Sequence, residues 1–381
     1  MIGPGYISGY YGADNRYKYW SGVSNKGLKW ETTSQLDFGL DMSFFNQRLN
    51  ITFDWYDKYT TDLLRQRNIA PSSGYDKMWV NDGKIRNRGV ELTIDGTAYQ
   101  DKDWRVGGTM VFSRNRNKVV SLGNVIEAGL TTDPRTGMLY ENYGDSNSTF
   151  VAYTNILAVG KPMYVFYGYK TDGIIQTVNE GIDAGLTGNF AQPGEFKYVD
   201  VDGNGTWNEN DRCIIGDPNP DVYGNFNFRL QWKRFALSSL FTYSVGNDVY
   251  NALRANLESG SEIHNQSTAL MNRWVAEGQQ TSIPRATYGD PMGNARFSDR
   301  WIEDGSYLKW KSIQLTYDIP IRSTFLQGVS VWVAVNNLCT WTKYLGPDPE
   351  FYSGLTPLSM GIDNGLTGAS REFNFGVKIH L

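Results

Sequence analysis

The last eleven residues, Arg371 to Leu381, constrain the fold more than any other stretch; they read R-E-F-N-F-G-V-K-I-H-L. Phe373, Phe375, Val377, Ile379 and Leu381 alternate with Glu372, Asn374, Gly376, Lys378 and His380. Such alternation predicts a β-strand with one oily and one wet face. Its length matches a strand that crosses a bilayer at a tilt, roughly 9–11 residues. It also closes the sequence, where an open strand edge would template aggregation. A closed barrel removes that edge; the core strand of a soluble sandwich is the competing reading.

Composition separates the two. No run of about 18 apolar residues is present, so a transmembrane helix is not expected, and mean hydropathy is below zero. A membrane barrel tolerates that polarity because only alternate residues meet lipid. The chain holds 24 Tyr, 18 Phe, 12 Trp and 41 Gly, a mixture suited to aromatic girdles, turns and polar loops. A net charge of -4 speaks against nucleic acid as a partner. Cys213 and Cys339 have no metal or redox spacing, and whether they pair is left open. Two histidines, His264 and His380, are too few for most His-based sites. With no phosphate-cradling Gly loop, no Ser/His/Asp constellation and no carboxylate pair at a readable separation, an enzyme is not expected.

Strands come in pairs joined by tight turns. The first runs about Ser34 to Phe45 and the second about Leu49 to Lys58, turning at Asn46-Gln47-Arg48. The third, Arg86 to Tyr99, turns at Gln100-Asp101-Lys102-Asp103 into the fourth, Trp104 to Asn115. Val222 to Trp232 turns at Lys233-Arg234 into Phe235 to Gly246. Ser306 to Asp318 leads past Pro320 to Val329 to Asn337, and the terminal strand follows. Residues Tyr6 to Trp30 read as loop, as does the polar stretch around Pro71-Ser72-Ser73-Gly74.

Short and long connections therefore alternate, as an antiparallel membrane barrel requires: short turns on the periplasmic side, long loops outside. The segment Met163 to Gly173 looks strand-like, but as a spanning strand it would break this parity, so it belongs to a loop domain. The resulting division is a loop at residues 1–33, four barrel strands at 34–115, an extracellular loop domain at 116–221, and five strands with two long loops at 222–381. The fold class is thus all-β, an antiparallel transmembrane barrel with about nine spanning strands. Nine is odd, and Met1-Ile2-Gly3-Pro4-Gly5 begins no secretory signal. Both point to the C-terminal part of a longer protein.

Several blocks resemble the C-terminal half of SusC/RagA-like TonB-dependent transporters. They are Leu28-Lys29-Trp30-Glu31, Tyr56-Asp57-Lys58 with Thr60-Thr61-Asp62-Leu63-Leu64, and Asn87-Arg88-Gly89-Val90-Glu91-Leu92. Asp211-Arg212 with Ile215-Gly216-Asp217-Pro218, Asp304-Gly305-Ser306-Tyr307-Leu308-Lys309, Asn337-Leu338, Lys343-Tyr344 and Asp348-Pro349-Glu350 follow in order. The resemblance implies a barrel of about 22 strands with a plugged lumen, located in the outer membrane among its lipids. It also implies import of a glycan or peptide substrate, a SusD-like surface lipoprotein as lid, and coupling to the TonB complex through an N-terminal part. Leu381 stands where the family usually has an aromatic residue. The alternative function is a passive porin-like or adhesive outer-membrane protein with calcium-stabilised loops.

One motif carries chemistry by its own spacing. From Asp200 to Asp211 the chain places side-chain oxygens of Asp200, Asp202 and Asn204 at loop positions 1, 3 and 5. Gly205 follows at 6, the Thr206 carbonyl at 7 and the Asp211 carboxylate at 12. Hard oxygens at these offsets suit Ca²⁺ in a structural role, and the competing reading is an acidic turn satisfied by water. Trp20, Trp79, Tyr140, Trp207, Trp274 and Trp341 are candidate stacking platforms for substrate, with girdle or loop packing as the alternative for each. The long loops, 116–221, 247–304 and 338–370, are expected to fold into a crown that receives the lid.

Overall fold

The computed structural model describes residues 6–11, 15–20, 25–68, 77–123, 130–143, 153–321, 328–351 and 359–380. Met1 to Gly5, Pro71 to Gly74, Leu381 and the side chain of Trp20 lie outside this description. Nine long strands pair into one antiparallel sheet: β1 (Thr32–Phe44), β2 (Leu49–Thr61), β3 (Lys84–Gln100), β4 (Trp104–Ser121), β5 (Val222–Trp232), β6 (Phe235–Val245), β7 (Tyr307–Ile319), β8 (Gly328–Thr342) and β9 (Glu372–His380). Sheet order follows chain order without a crossover. β5 matches the expected limits, and most other strands run longer at the end away from the tight turns. β8 extends past Asn337, which adopts a left-handed φ of 53° that the sequence pattern does not signal.

The registers carry one phase of side chains straight across the sheet. Met42, Ile51, Ile94, Met110, Phe226, Phe241 and Trp310 are successive cross-strand partners on seven strands. Phe226 stacks on Phe241 at 4.5 Å and Phe241 on Trp310 at 5.1 Å. Nearer the tight turns, Trp104, Trp232, Phe235 and Tyr317 form a second row, with centroids 5.7, 5.8 and 4.6 Å apart in turn. The two rows are six residues apart on β6, so about 20 Å along the strand. This is the spacing of an apolar band flanked by aromatic girdles.

Large apolar side chains on this face are exposed, not cored: Phe375 is 87% and Val377 64% accessible, and Met110 and Val333 are exposed in the sheet's interior. The opposite face is polar. Asp95 sits across from Thr109 and accepts its hydroxyl at 2.6 Å, with Asn227 next in the row. Two glycines let aromatic rings lie flat on the polar face. A side chain at Gly89 would collide with the Tyr56 ring, and one at Gly376 with the Trp332 indole.

Hydrophobic cores form instead in the long connections. Thr131–Thr132, Leu139–Tyr143, Asn155–Ala158, Val165–Gly168 and Cys213–Gly216 make a separate five-stranded sheet. Met163 to Gly173 therefore contributes to this sheet and not to the wall. Phe166 from the first long connection packs with Tyr250 and Phe297 from the second and Ile362 from the last. Three connections thus share one core and form a crown. Tyr6–Tyr11 and Asn15–Trp20, expected as loop, instead pair as antiparallel strands.

The two faces differ in what they tolerate. Arg in place of Phe375 or Val377 is expected to cost about 2–4 kcal/mol near the membrane midplane, and Arg at Asn374 far less. Denaturant titration of the refolded barrel in lipid checks this; equal costs on both faces would mean burial on both.

Candidate functional site

The segment Asp200 to Asp211 lies in the crown, and its geometry follows from side chains that cap the loop's own backbone. Asp200 accepts the N–H groups of Gly203 at 2.7 Å and Gly205 at 2.6 Å. Asp202 accepts from Asn204 N at 3.0 Å, and the Asn204 side chain from Thr206 N at 2.8 Å. Gly203 and Gly205 take φ values of 72° and 81°, the left-handed turns that glycine makes without strain. Asp211 is fully buried and accepts Val201 N at 2.9 Å, Asp202 N at 3.2 Å and Asn208 N at 2.7 Å.

The three carboxylates of the sequence-derived set converge. Carboxylate oxygens of Asp200, Asp202 and Asp211 lie within 4.8 Å of one another. Partial desolvation works to raise the Asp200 carboxyl, but the N–H groups of Gly205 and Gly203 outweigh it and hold the carboxyl below its usual range. It is ionised at neutral pH. The Thr206 carbonyl accepts Asn208 Nδ2 at 2.9 Å and keeps a second lone pair. This donor set fits a hard divalent cation: oxygens only, with anionic charge at three positions.

The aromatic candidates separate, and for most the structure corrects the expectation. Tyr140 is buried against Tyr167 at 5.0 Å. Trp207 stacks on Tyr198 at 4.7 Å, and Trp274 packs on the same cluster while donating to Gln176 Oε1 at 3.1 Å. Tyr140 belongs to one crown core, and Trp207 and Trp274 are half-buried against another. Trp341 partners Leu308 at the far end of β8, and Leu308 partners Tyr243. That puts it in the outward phase, with the girdle. Trp79 remains exposed on the short strand Lys77–Asn81.

Sequence reading missed the groups that anchor crown to wall. Lys309 points from β7 into the crown, where Nζ meets Asp348 at 2.8 Å and Glu350 at 2.9 Å; Lys311 also reaches Glu350 at 2.7 Å. Burial works against the Asp348 carboxylate, and Lys309 outweighs it to hold the carboxyl below its usual range. Arg65 pairs with Glu141 and with Asp82, the latter at 3.3 Å. The available signal was a lysine in a strand's polar phase plus an Asp-Pro-Glu turn; their pairing spans 39 residues and no local pattern gives it.

The polar face forms shallow recesses. One, of about 580 Å³, is lined by Asp37, Asp54, Tyr56, Lys58, Glu91 and Asn115 among others. Another, of about 560 Å³, has Asp95, Arg105, Arg229, Gln231 and Gln314 in its lining.

A wall with one apolar and one polar face and a folded crown at one end is a barrel architecture. The family model for "TonB dependent receptor-like, beta-barrel" matches residues 3–338. The chain belongs to the TonB-dependent receptor family. "TonB-dependent receptor P3" of Formosa agariphila is 34% identical over 366 residues, 93% of this chain and 35% of the relative. "TonB-dependent receptor SusC" of Bacteroides thetaiotaomicron is 28% identical over 340 residues, 87% of this chain and 31% of the relative. A solved structure of the RagAB peptide transporter superposes with a TM-score of 0.77 at 26% identity, over 99% of this chain and 38% of that one. The chain thus spans about a third of the length of these relatives, and the SusC/RagA-like resemblance holds. TonB-dependent receptors of this kind are outer-membrane proteins, so the apolar phase of the nine strands is the lipid face.

The cradle in this receptor's crown rests on Asp211. Asp211→Ala leaves three backbone donors without a partner, at about 1–3 kcal/mol each where buried. Hydrogen exchange is expected to show faster opening at Val201, Asp202 and Asn208, by about 2–4 kcal/mol in local stability, with the wall strands unchanged.

Proposed function

We propose that this chain is the C-terminal wall and crown of a TonB-dependent importer for oligosaccharide or oligopeptide nutrients, working beneath a SusD-like lipoprotein lid. The observation that carries this reading is the crown. Long connections converge at one end of the wall, share a core through Phe166, Phe297 and Ile362, and are pinned to β7 by the Lys309 ion pairs. A plain pore needs only enough loop to narrow its mouth. A folded crown gives a rigid rim on which another protein can close. The polar face of the wall, with Asp54, Lys58, Glu91, Arg105 and Arg229, is the lumen surface of this importer. Mixed charges and amides there suit a polar substrate that forms hydrogen bonds. Trp79 is the stacking platform left exposed. The end bearing the crown is the extracellular end, because barrel loops are long outside and turns short inside. The TonB complex acts through a plug and N-terminal segment outside this chain.

Extraction of the full-length receptor from native membranes in mild detergent tests the lid. A stoichiometric surface lipoprotein is expected, and deletion of crown loop tips is expected to abolish uptake. A receptor that purifies alone, with uptake unaffected by those deletions, contradicts the reading.

In the same reading the loop from Asp200 to Asp211 holds Ca²⁺ through Asp200, Asp202, Asn204, the Thr206 carbonyl and Asp211, and the ion stiffens the crown. Calcium is expected to raise the crown's resistance to proteolysis, with no effect in Asp200→Asn/Asp202→Asn. An oxygen shell at about 2.3–2.6 Å in a structure grown with calcium is the direct check; a shell of waters alone there rules the ion out.

A further inference from the structure

The lipid-facing phase does not stay apolar to the top of the wall. On β3 it runs upward through Ile94, Leu92 and Val90 to Arg88, Arg86 and Lys84. On β4 it runs through Met110 and Phe112 to Arg114, Arg116 and Lys118. Direct partners across the two strands are Val90 with Arg114, Arg88 with Arg116 and Arg86 with Lys118. Six cations thus share the outward face just beyond the apolar band. Two carboxylates answer three of the six. Asp57 takes Arg86 at 2.6 Å and Arg88 at 2.9 Å, and Asp221 takes Arg116 at 2.5 Å. Arg114 and Lys118 are exposed and have no carboxylate partner among the described residues.

The patch is local. Level with Arg114, β5 and β6 present Val222 and Val245, and one step lower, in the row of Phe112, Tyr243, Leu308 and Trp341 form an uncharged interfacial belt. Neighbouring strands are about 4.8 Å apart and same-face residues about 6.8 Å apart, so the patch covers roughly 5 by 14 Å. That matches one or two phosphate groups, which arginine and lysine bind as charge-assisted donors. A cationic surface set immediately above an apolar one meets a ligand with the same order: acyl chains below, phosphate above.

We propose that the outward face of β3 and β4 is a binding site for the phosphorylated headgroup of an outer-leaflet lipid. The inference rests on the extracellular assignment of the crown end. Acyl chains lie along Leu92, Phe112 and Phe226. The headgroup phosphate sits on Arg114, Lys118 and Arg88, and the Asp57 and Asp221 carboxylates hold the neighbouring arginines in place until it arrives.

Native mass spectrometry of the full-length receptor in mild detergent, with lipid A as the probe, tests this. Retention is expected for the parent protein and for Lys102→Gln, which alters a cation at the opposite end of the wall. Arg114→Gln/Lys118→Gln is expected to retain about tenfold less, and the charge-preserving Arg114→Lys/Lys118→Arg pair to retain lipid as the parent does. Millimolar inorganic phosphate is expected to leave the lipid bound. Equal retention by the Gln pair, equal retention of dephosphorylated lipid A, or displacement by inorganic phosphate overturns the site. Labelling of Lys102→Cys on intact cells checks the sidedness separately: reaction with an impermeant reagent there would reverse the crown assignment, whatever the lipid result.

Discussion

Backbone hydrogen bonding in lipid is the constraint on which the rest depends. A strand in hydrocarbon has no water to satisfy its N–H and C=O groups, so each must pair with a neighbour. The seven inner wall strands meet this on both sides within one antiparallel meander, and β1 and β9 on one side among the described residues, with register irregularities confined to a few points in the β3–β4, β6–β7 and β7–β8 pairings. The register then fixes side-chain phase. A slip of one residue at any pair would send a whole row from lipid to lumen. The row from Met42 to Trp310 shows that phase is kept through six successive pairings.

Phase explains why the molecule builds its globular cores elsewhere. A wall with lipid on one side and a lumen on the other has no dry interior, and its largest apolar groups stay outward. The crown obeys water-soluble rules instead. It buries apolar groups such as Phe166, Phe297 and Trp301 and pairs charges such as Arg254 between Glu258 and Glu303. Two solvents therefore act on one chain, and the Lys309–Asp348–Glu350 cluster joins the regions they shape.

Much of the wall was legible in the sequence because its signal is local. Alternation over ten residues and turns such as Lys233-Arg234 need no distant information, so β5 and β6 fall where the pattern puts them. The crown was legible only as a set of long polar connections. Its strands are two to five residues long, as in Thr131–Thr132 and Leu139–Tyr143, and Phe166 among them is buried by partners as far away as Ile362. Tyr140, Trp207 and Trp274 read as exposed platforms because no local pattern marks the clusters they pack against. The Asp200–Asp211 cradle is local again, and its spacing alone brought Asp200, Asp202 and Asp211 together. The outward arginines of β3 and β4 were visible as residues, but only the register assigns them to the lipid side.

Site-directed spin labels along β8 in reconstituted full-length receptor test the central claim, that this sheet separates lipid from an aqueous lumen. Labels at Val329, Val331, Val333 and Val335 are predicted to be accessible to oxygen and shielded from a water-soluble nickel reagent. Labels at Ser330, Trp332, Ala334 and Asn336 are predicted to show the reverse. A two-residue period with opposite phases for the two reagents is the expected result. Accessibility that rises and falls together at all eight positions would contradict the account.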